Sequence, residues 1–352
     1  MSAPDPPLLA VRDLEVSFRT EEGVVRAVDG VSFDLRAGEI LAVVGESGSG
    51  KSVTAMTLMG LTRSPNAVFG GEARFRGETE LVGATDDELQ RIRGAQIAMI
   101  FQDPMASLNP VMKIGAQIVE QIRAHEDVTK EQARERAIEL LDRVGISEPR
   151  RRVDAYPFEF SGGMRQRVMI ALALSCDPSV LIADEPTTAL DVTIQQQILQ
   201  RVGKLRDETG AGVILVTHDL GVVAELADRV AVMYAGRIVE QGTLDEVFYD
   251  PRHPYTWGLL GSITRLDLAR PERLPAIAGL PPSLADRPEG CHFRPRCPHE
   301  FDQCHRTPAL EARSADAPGH RDRCWLPIDE RPALRTVEGQ IGLAPRPSEA
   351  PA

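Results

Sequence analysis

Eight consecutive residues, Gly45-Glu46-Ser47-Gly48-Ser49-Gly50-Lys51-Ser52, constrain this chain more than any other feature. They follow the apolar run Ile40-Leu41-Ala42-Val43-Val44, which reads as a buried strand, and precede a helix-like stretch. Glycines at this spacing let backbone N–H groups turn inward around phosphate oxygens. Lys51 brings positive charge toward the β and γ phosphates, and Ser52 can ligate Mg2+. An ordinary glycine turn would also accommodate the glycines, but four such fixed positions coincide in only roughly 1% of chains this long. The segment reads as a phosphate-binding loop (P-loop), and all eight residues are expected to contact ATP.

A second apolar run, Val180-Leu181-Ile182-Ala183, ends in Asp184-Glu185. Behind a P-loop this is where a metal-holding Asp and a water-activating base are needed, so Asp184 is expected to hold Mg2+ and Glu185 to polarise the attacking water. A third run, residues 213–217, delivers His218 at its end, where an imidazole can meet the γ-phosphate or that water. Between the second and third runs, Ile194, Ile198, Leu199 and Val202 keep a helical period, giving a strand-helix-strand unit. Ala133, Ala137, Leu140, Leu141 and Val144 share another helix face. The expected fold is α/β, a parallel sheet flanked by helices.

At 352 residues the chain has roughly two domain lengths, ample for a buried core. Forty Lys+Arg against fifty-two Asp+Glu give a formal charge of -12, which argues against a general electrostatic grip on nucleic acid. No apolar run approaches the roughly 18 residues a membrane helix needs. Residues 1–7 lack the basic-then-apolar order of a secretory signal, so the chain is expected to stay on the cytosolic side. In that compartment five cysteines are expected to be thiols or metal ligands rather than disulfides.

Phe160-Ser161-Gly162-Gly163-Met164-Arg165-Gln166-Arg167 opens a further helix, whose N-terminal amides form a second anion site. This element, lying between the P-loop and the Asp-Glu strand, resembles the signature motif of ABC-type ATPases, and the resemblance covers residues 8–250. It departs from many members in having Met164 after an intact Ser-Gly-Gly. The resemblance implies that Phe18 stacks on adenine, that Gln102 touches Mg2+ and that Asp191, in Ala189-Leu190-Asp191, crosses a dimer interface. It also implies that Ser161, Gly162, Gly163 and Met164 act in trans on a partner's nucleotide. The implied architecture is residues 1–250 as the nucleotide-binding domain, with an antiparallel β subdomain and a helical subdomain at about 103–160 that docks on membrane subunits.

After residue 250 the chain changes character, with Pro251, Pro254, Pro271, Pro275, Pro281, Pro282 and Pro288 breaking it into short pieces. Pro251-Arg252-His253-Pro254-Tyr255-Thr256 and the cysteine-bearing extension, residues 251–330, look like the ATP-binding subunits of oligopeptide and dipeptide importers. That family implies an ATPase on the cytoplasmic face of the membrane, paired with a paralogous ATP-binding subunit and two permease subunits and fed by an external binding protein. Related importers of nickel, glutathione or other small solutes remain alternatives, as does, more distantly, a soluble ABC ATPase. Cys291, Cys297, Cys304 and Cys324 are spaced C-x5-C-x6-C-x19-C in a segment with little apolar content. Four thiolates fit an iron-sulfur cluster, and related subunits carry a 4Fe-4S cluster here. Zinc is the alternative, since His292, His299, His305 or His320 can replace a cysteine. Residues 331–352, rich in Pro, Ala and Gly, read as a flexible tail.

Overall fold

The structure is a computed structural model and describes residues 6–21, 23–103, 107–186, 192–262 and 277–337, with the backbone alone for 192–194, 197, 205, 336 and 337. Two sheets organise it. A four-stranded antiparallel sheet, in the order β2-β1-β4-β5, comprises β1 (Leu9–Thr20), β2 (Gly23–Leu35), β4 (Ala67–Phe75) and β5 (Thr79–Glu80). The larger sheet is built on β3 (Ile40–Val44), β6 (Ile97–Ile100), β7 (Val180–Asp184), β8 (Gly212–Thr217) and β9 (Arg229–Tyr234), all parallel, and β10 (Arg237–Thr243) runs antiparallel on β9. Its order is β11-β12-β10-β9-β3-β8-β7-β6, with β11 (Glu311–Ala312) and β12 (Arg321–Asp322) supplied by the extension.

The three apolar runs singled out in the sequence are β3, β7 and β8. All have continuous burial, because both sheet faces are covered. Alternate residues then serve two cores. Val180, Ile182, Ile214 and Val216 face the antiparallel sheet, whereas Leu181, Ala183, Val213 and Leu215 face the helices. Those helices are Ile114–His125 and Lys130–Arg143, whose Ile118, Ile122, Ala137 and Leu141 are fully buried, and Gly162–Ala173. Thr129 caps the second with a reciprocal Thr129/Gln132 box, fixing where it starts.

The extension contributes the helix Pro254–Gly261, short 3-10 turns and the two-residue strands β11 and β12. It is held by an apolar cluster, in which Tyr255, Leu260 and Phe293 pack with Val230, Val232 and Tyr234, and by buried polar contacts. Glu240 of β10 is fully buried and accepts hydrogen bonds from the Arg252 and His253 amides (2.7 and 2.9 Å) and from His320 Nε2 (2.8 Å). Asp322, equally buried, lies 3.0 Å from Arg331 Nη1. The segment read from sequence as a tail from residue 331 is corrected at its start. It opens as the helix Arg331–Val337, and Arg331 is buried with its guanidinium donating to the Leu326 and Arg252 carbonyls. Arginine with five donors can anchor a chain this way where a short apolar side chain could not.

Candidate nucleotide site

The site forms where β3, β7 and β8 end together. The P-loop leaves β3 and opens the helix Lys51–Leu58, so its amides and the helix N-terminus point to one place. Two glycines are obligatory there. Gly45 (φ 153°) would place a Cβ 2.1 Å from the Met233 carbonyl oxygen, and Gly50 (φ 103°) one 2.4 Å from the Ala27 carbonyl oxygen. Lys51 is buried, with Nζ donating to the carbonyls of Gly45 (2.8 Å) and Glu46 (2.9 Å). Burial lowers its pKa, against the pull of Glu185, Asp184 and Glu46.

Ser52 Oγ donates to Asp184 Oδ1 at 2.9 Å, so the hydroxyl and carboxylate expected to share Mg2+ are already together. Burial raises the Asp184 pKa, and the Ser52 hydrogen bond works the other way. Glu185 follows with a left-handed backbone (φ 46°), its N–H donating to the Val216 carbonyl. This turn swings its carboxylate out of the sheet. Gln102 Nε2 donates to one Glu185 oxygen at 2.8 Å, and His218 Nδ1 lies 3.2 Å from the other. Ser47, Gly48, Ser49, Gly50, Lys51, Ser52, Gln102, Glu185 and His218 thus line one open cleft of about 450 Å³, together with Val53 and Leu284.

Other expected residues stand apart. Phe18 is half-buried on β1 against the inter-sheet core and is not among the cleft-lining residues. Ser161 caps the helix Gly162–Ala173, its hydroxyl accepting from the Met164 N–H, and Ser161 and Gly162 are exposed away from the cleft. Gln166, one turn on, donates to the Pro186 carbonyl (2.6 Å), tying this helix to the segment after Glu185. Asp191 lies outside the described residues.

Comparison with known proteins then decides the family. The model for the ABC transporter family matches residues 28–188, and that for the oligopeptide/dipeptide transporter C-terminal region matches residues 239–304. The chain is 57% identical to the oligopeptide transport ATP-binding protein OppD of Bacillus subtilis, covering 94% of this chain and 92% of that protein. The chain belongs to the ATP-binding subunits of oligopeptide/dipeptide ABC transporters. The dipeptide transport ATP-binding protein DppD of Bacillus subtilis is 50% identical over 94% of this chain and 98% of its own length. Among solved structures, the dimeric, post-hydrolysis ATP-binding cassette MJ0796 bound to ADP and Pi superposes with a TM-score of 0.61 at 28% identity, covering 67% of this chain and 98% of that one.

In this ABC ATPase the extension reaches the nucleotide cleft, which the sequence reading missed. Tyr255 Oη accepts from the Glu46 N–H at 2.8 Å, Arg296 forks onto the Glu46 carboxylate and Leu284 forms part of the cleft wall. Only Tyr255 carried a signal, as part of the His-Pro-Tyr-Thr motif.

The four extension cysteines line one narrow cavity with His253, Phe293, His299, Trp325 and Leu326. Burial pushes the thiols of Cys297 and Cys324 up to about 12. Among the described residues no three His, Cys, Asp or Glu side chains are grouped to hold a single metal ion. The metal-binding extension expected from sequence is therefore not borne out as a metal site. What exists is a shared cavity.

Proposed function

We propose that this chain hydrolyses ATP to drive a membrane importer of oligopeptides or dipeptides, as the peripheral subunit on the cytoplasmic face. One observation carries the reading. Ser52, paired with Asp184, and Glu185 line the P-loop cleft, in a chain 57% identical to a relative over 94% of its length. Among the described residues no helix is long and apolar enough to cross a membrane, so any channel belongs to partner permease subunits.

Lys51 and the loop amides would bind the β and γ phosphates, while Ser52, Asp184 and Gln102 would hold Mg2+, which supplies charge neutralisation at those oxygens. Glu185 takes the proton of the attacking water, and His218 orients the γ-phosphate or that water. Both Glu185 oxygens are engaged, one by Gln102 and the other by His218. Releasing either contact would let a Glu185 oxygen meet water.

The Ser161-Gly162-Gly163-Met164 end, exposed at Ser161 and Gly162, closes a partner's nucleotide in trans, and Asp191 takes the dimer-interface role that the family implies. Phe18 receives the adenine once the halves close. The partner is a paralogous ATP-binding subunit, an external binding protein supplies peptide, and residues about 103–160 dock on the permeases. The exposed Val111 and Phe158 support that last assignment, since both present apolar surface on that segment.

The domain division at about residue 250 follows the change in character from apolar strands to polar anchoring. Four thiols around one cavity, without a carboxylate among its walls, are the donor set that supports a 4Fe-4S cluster on Cys291, Cys297, Cys304 and Cys324, with zinc as the alternative. Such a group would supply a covalent cross-link to a segment with little apolar content of its own.

ATP turnover by the purified transporter complex, stimulated by peptide with its binding protein, tests the main reading. Turnover that responds to nickel or glutathione and not to peptide would overturn the substrate. Protein purified without oxygen should carry about four irons and four acid-labile sulfides per chain. One zinc and no sulfide would instead leave the cavity as a zinc clip.

A further inference from the structure

A P-loop binds phosphate only while its amides keep their inward turn, so whatever fixes the loop's first residues also sets nucleotide affinity. Here that fixing comes from 250 residues away in sequence. Arg296 Nη1 and Nη2 donate to the two Glu46 carboxylate oxygens at 2.6 and 3.0 Å, a bidentate fork, and the Glu46 N–H donates to Tyr255 Oη.

The guanidinium is satisfied all round. Nη1 also donates to Tyr234 Oη (3.3 Å), Nε to the Ala278 carbonyl (2.9 Å) and Nη2 to the Ile277 carbonyl (3.4 Å). The rings of Tyr234 and Phe293 lie 5.8 and 5.9 Å beneath its carbon. The Arg296 side chain is only 4% exposed and cannot swing to another partner without dismantling these contacts. It is carried on the 3-10 turn Arg294–Arg296, bracketed by Cys291 and Cys297 of the thiol-lined cavity. The stretch it grips from behind, residues 277–278, runs on to Leu284 in the cleft wall.

We propose that Arg296 is a positioning residue of the nucleotide site, through which the extension fixes the P-loop by holding Glu46. The assignment rests on reading residues 45–52 as the nucleotide cradle. Arg296 touches no nucleotide itself. It holds the loop in its binding shape and leaves the chemistry at Glu185 untouched, so its loss raises the KM for ATP while kcat at saturation persists.

The test is a double-mutant cycle on the full-length chain, using methylanthraniloyl-ADP with Mg2+ as the probe and thermal unfolding measured in parallel. Arg296→Lys keeps the charge but loses the fork, and Glu46→Gln keeps the shape but loses the charge. Each should weaken probe binding roughly tenfold, the worth of a charge-assisted hydrogen bond. The double variant should be no weaker than either single one. Roughly hundredfold weakening in the double variant would overturn the assignment, as would affinities unchanged in both singles while unfolding temperature falls. A wild-type chain that binds no probe would remove the nucleotide site and this assignment with it.

Discussion

The ATPase core and the extension solve the same problem with different materials. Each must hold its backbone so that a few side chains meet near residues 45–52. The core does it with apolar strands buried on both faces, such as β7 and β8, so its geometry follows from hydrophobic runs that repeat at strand length. The extension has two-residue strands and short turns, and adds to a small apolar cluster around Tyr255 and Phe293 a set of buried charged and polar groups, Glu240 under three donors and Asp322 beside Arg331. Apolar burial tolerates substitution by similar residues, whereas a buried carboxylate does not survive loss of its partners. The extension should therefore be the more brittle half, and the catalytic end of the core the more replaceable in structural terms.

The largest effect should fall on chemistry and spare folding. Glu185→Gln should lower ATP turnover of the assembled transporter at least about 100-fold, with ATP affinity and unfolding temperature near wild type. Undiminished turnover would remove Glu185 as the base. The mirror experiment is Glu240→Ala, which strands the amides of Arg252 and His253 and the His320 ring. It should cost about 3–5 kcal/mol in urea unfolding. The core counterpart, Leu215→Ala, removes a fully buried side chain from β8 and should cost about 2–5 kcal/mol by leaving a cavity. If the Leu215 variant lost stability and the Glu240 variant did not, the contrast between the two halves would collapse.

Smaller effects sharpen the contrast. Breaking the half-exposed Arg143–Glu208 pair with Arg143→Ala should change stability by less than about 1 kcal/mol, because solvent screens it. Asp29, which joins β2 to Arg237 and Arg287, offers a pH signature. Burial pushes its pKa upward, but the two guanidiniums outweigh it and hold the carboxyl below the ordinary 3.8. A carboxyl depressed in the fold stabilises fully above its unfolded pKa and loses that contribution as pH falls through the folded value. Urea midpoints measured from pH 6 to 3 should thus drop below about pH 4, and Asp29→Asn should shrink that drop.

Legibility in the sequence follows the same division. The P-loop, β3, β7 and β8 were readable because glycine spacing and apolar runs are local signals. Asp184, Glu185 and His218 were placed by standing at strand ends, and the cleft does bring Glu185, His218 and Gln102 together. Arg296 was invisible. Its partner Glu46 lies far away in sequence, and an arginine in a Pro- and Arg-rich stretch gives no period to detect. Phe18 was named from its motif position alone, and its ring packs on β1 against the inter-sheet core, outside the cleft-lining residues. The helix Arg331–Val337 was hidden because its anchor is an arginine fork onto carbonyls rather than an apolar face.

The pairing of β12 with β10, at Glu240 opposite Asp322 and Gln241 opposite Arg321, has a further consequence. Without it β10 would present free amides and carbonyls at the margin of the remaining six-stranded sheet, a template on which another chain can add a strand. The extension thus covers that margin at Glu240 and Gln241. A chain ended after residue 250 would keep every residue of the P-loop and lose the strand that covers this edge.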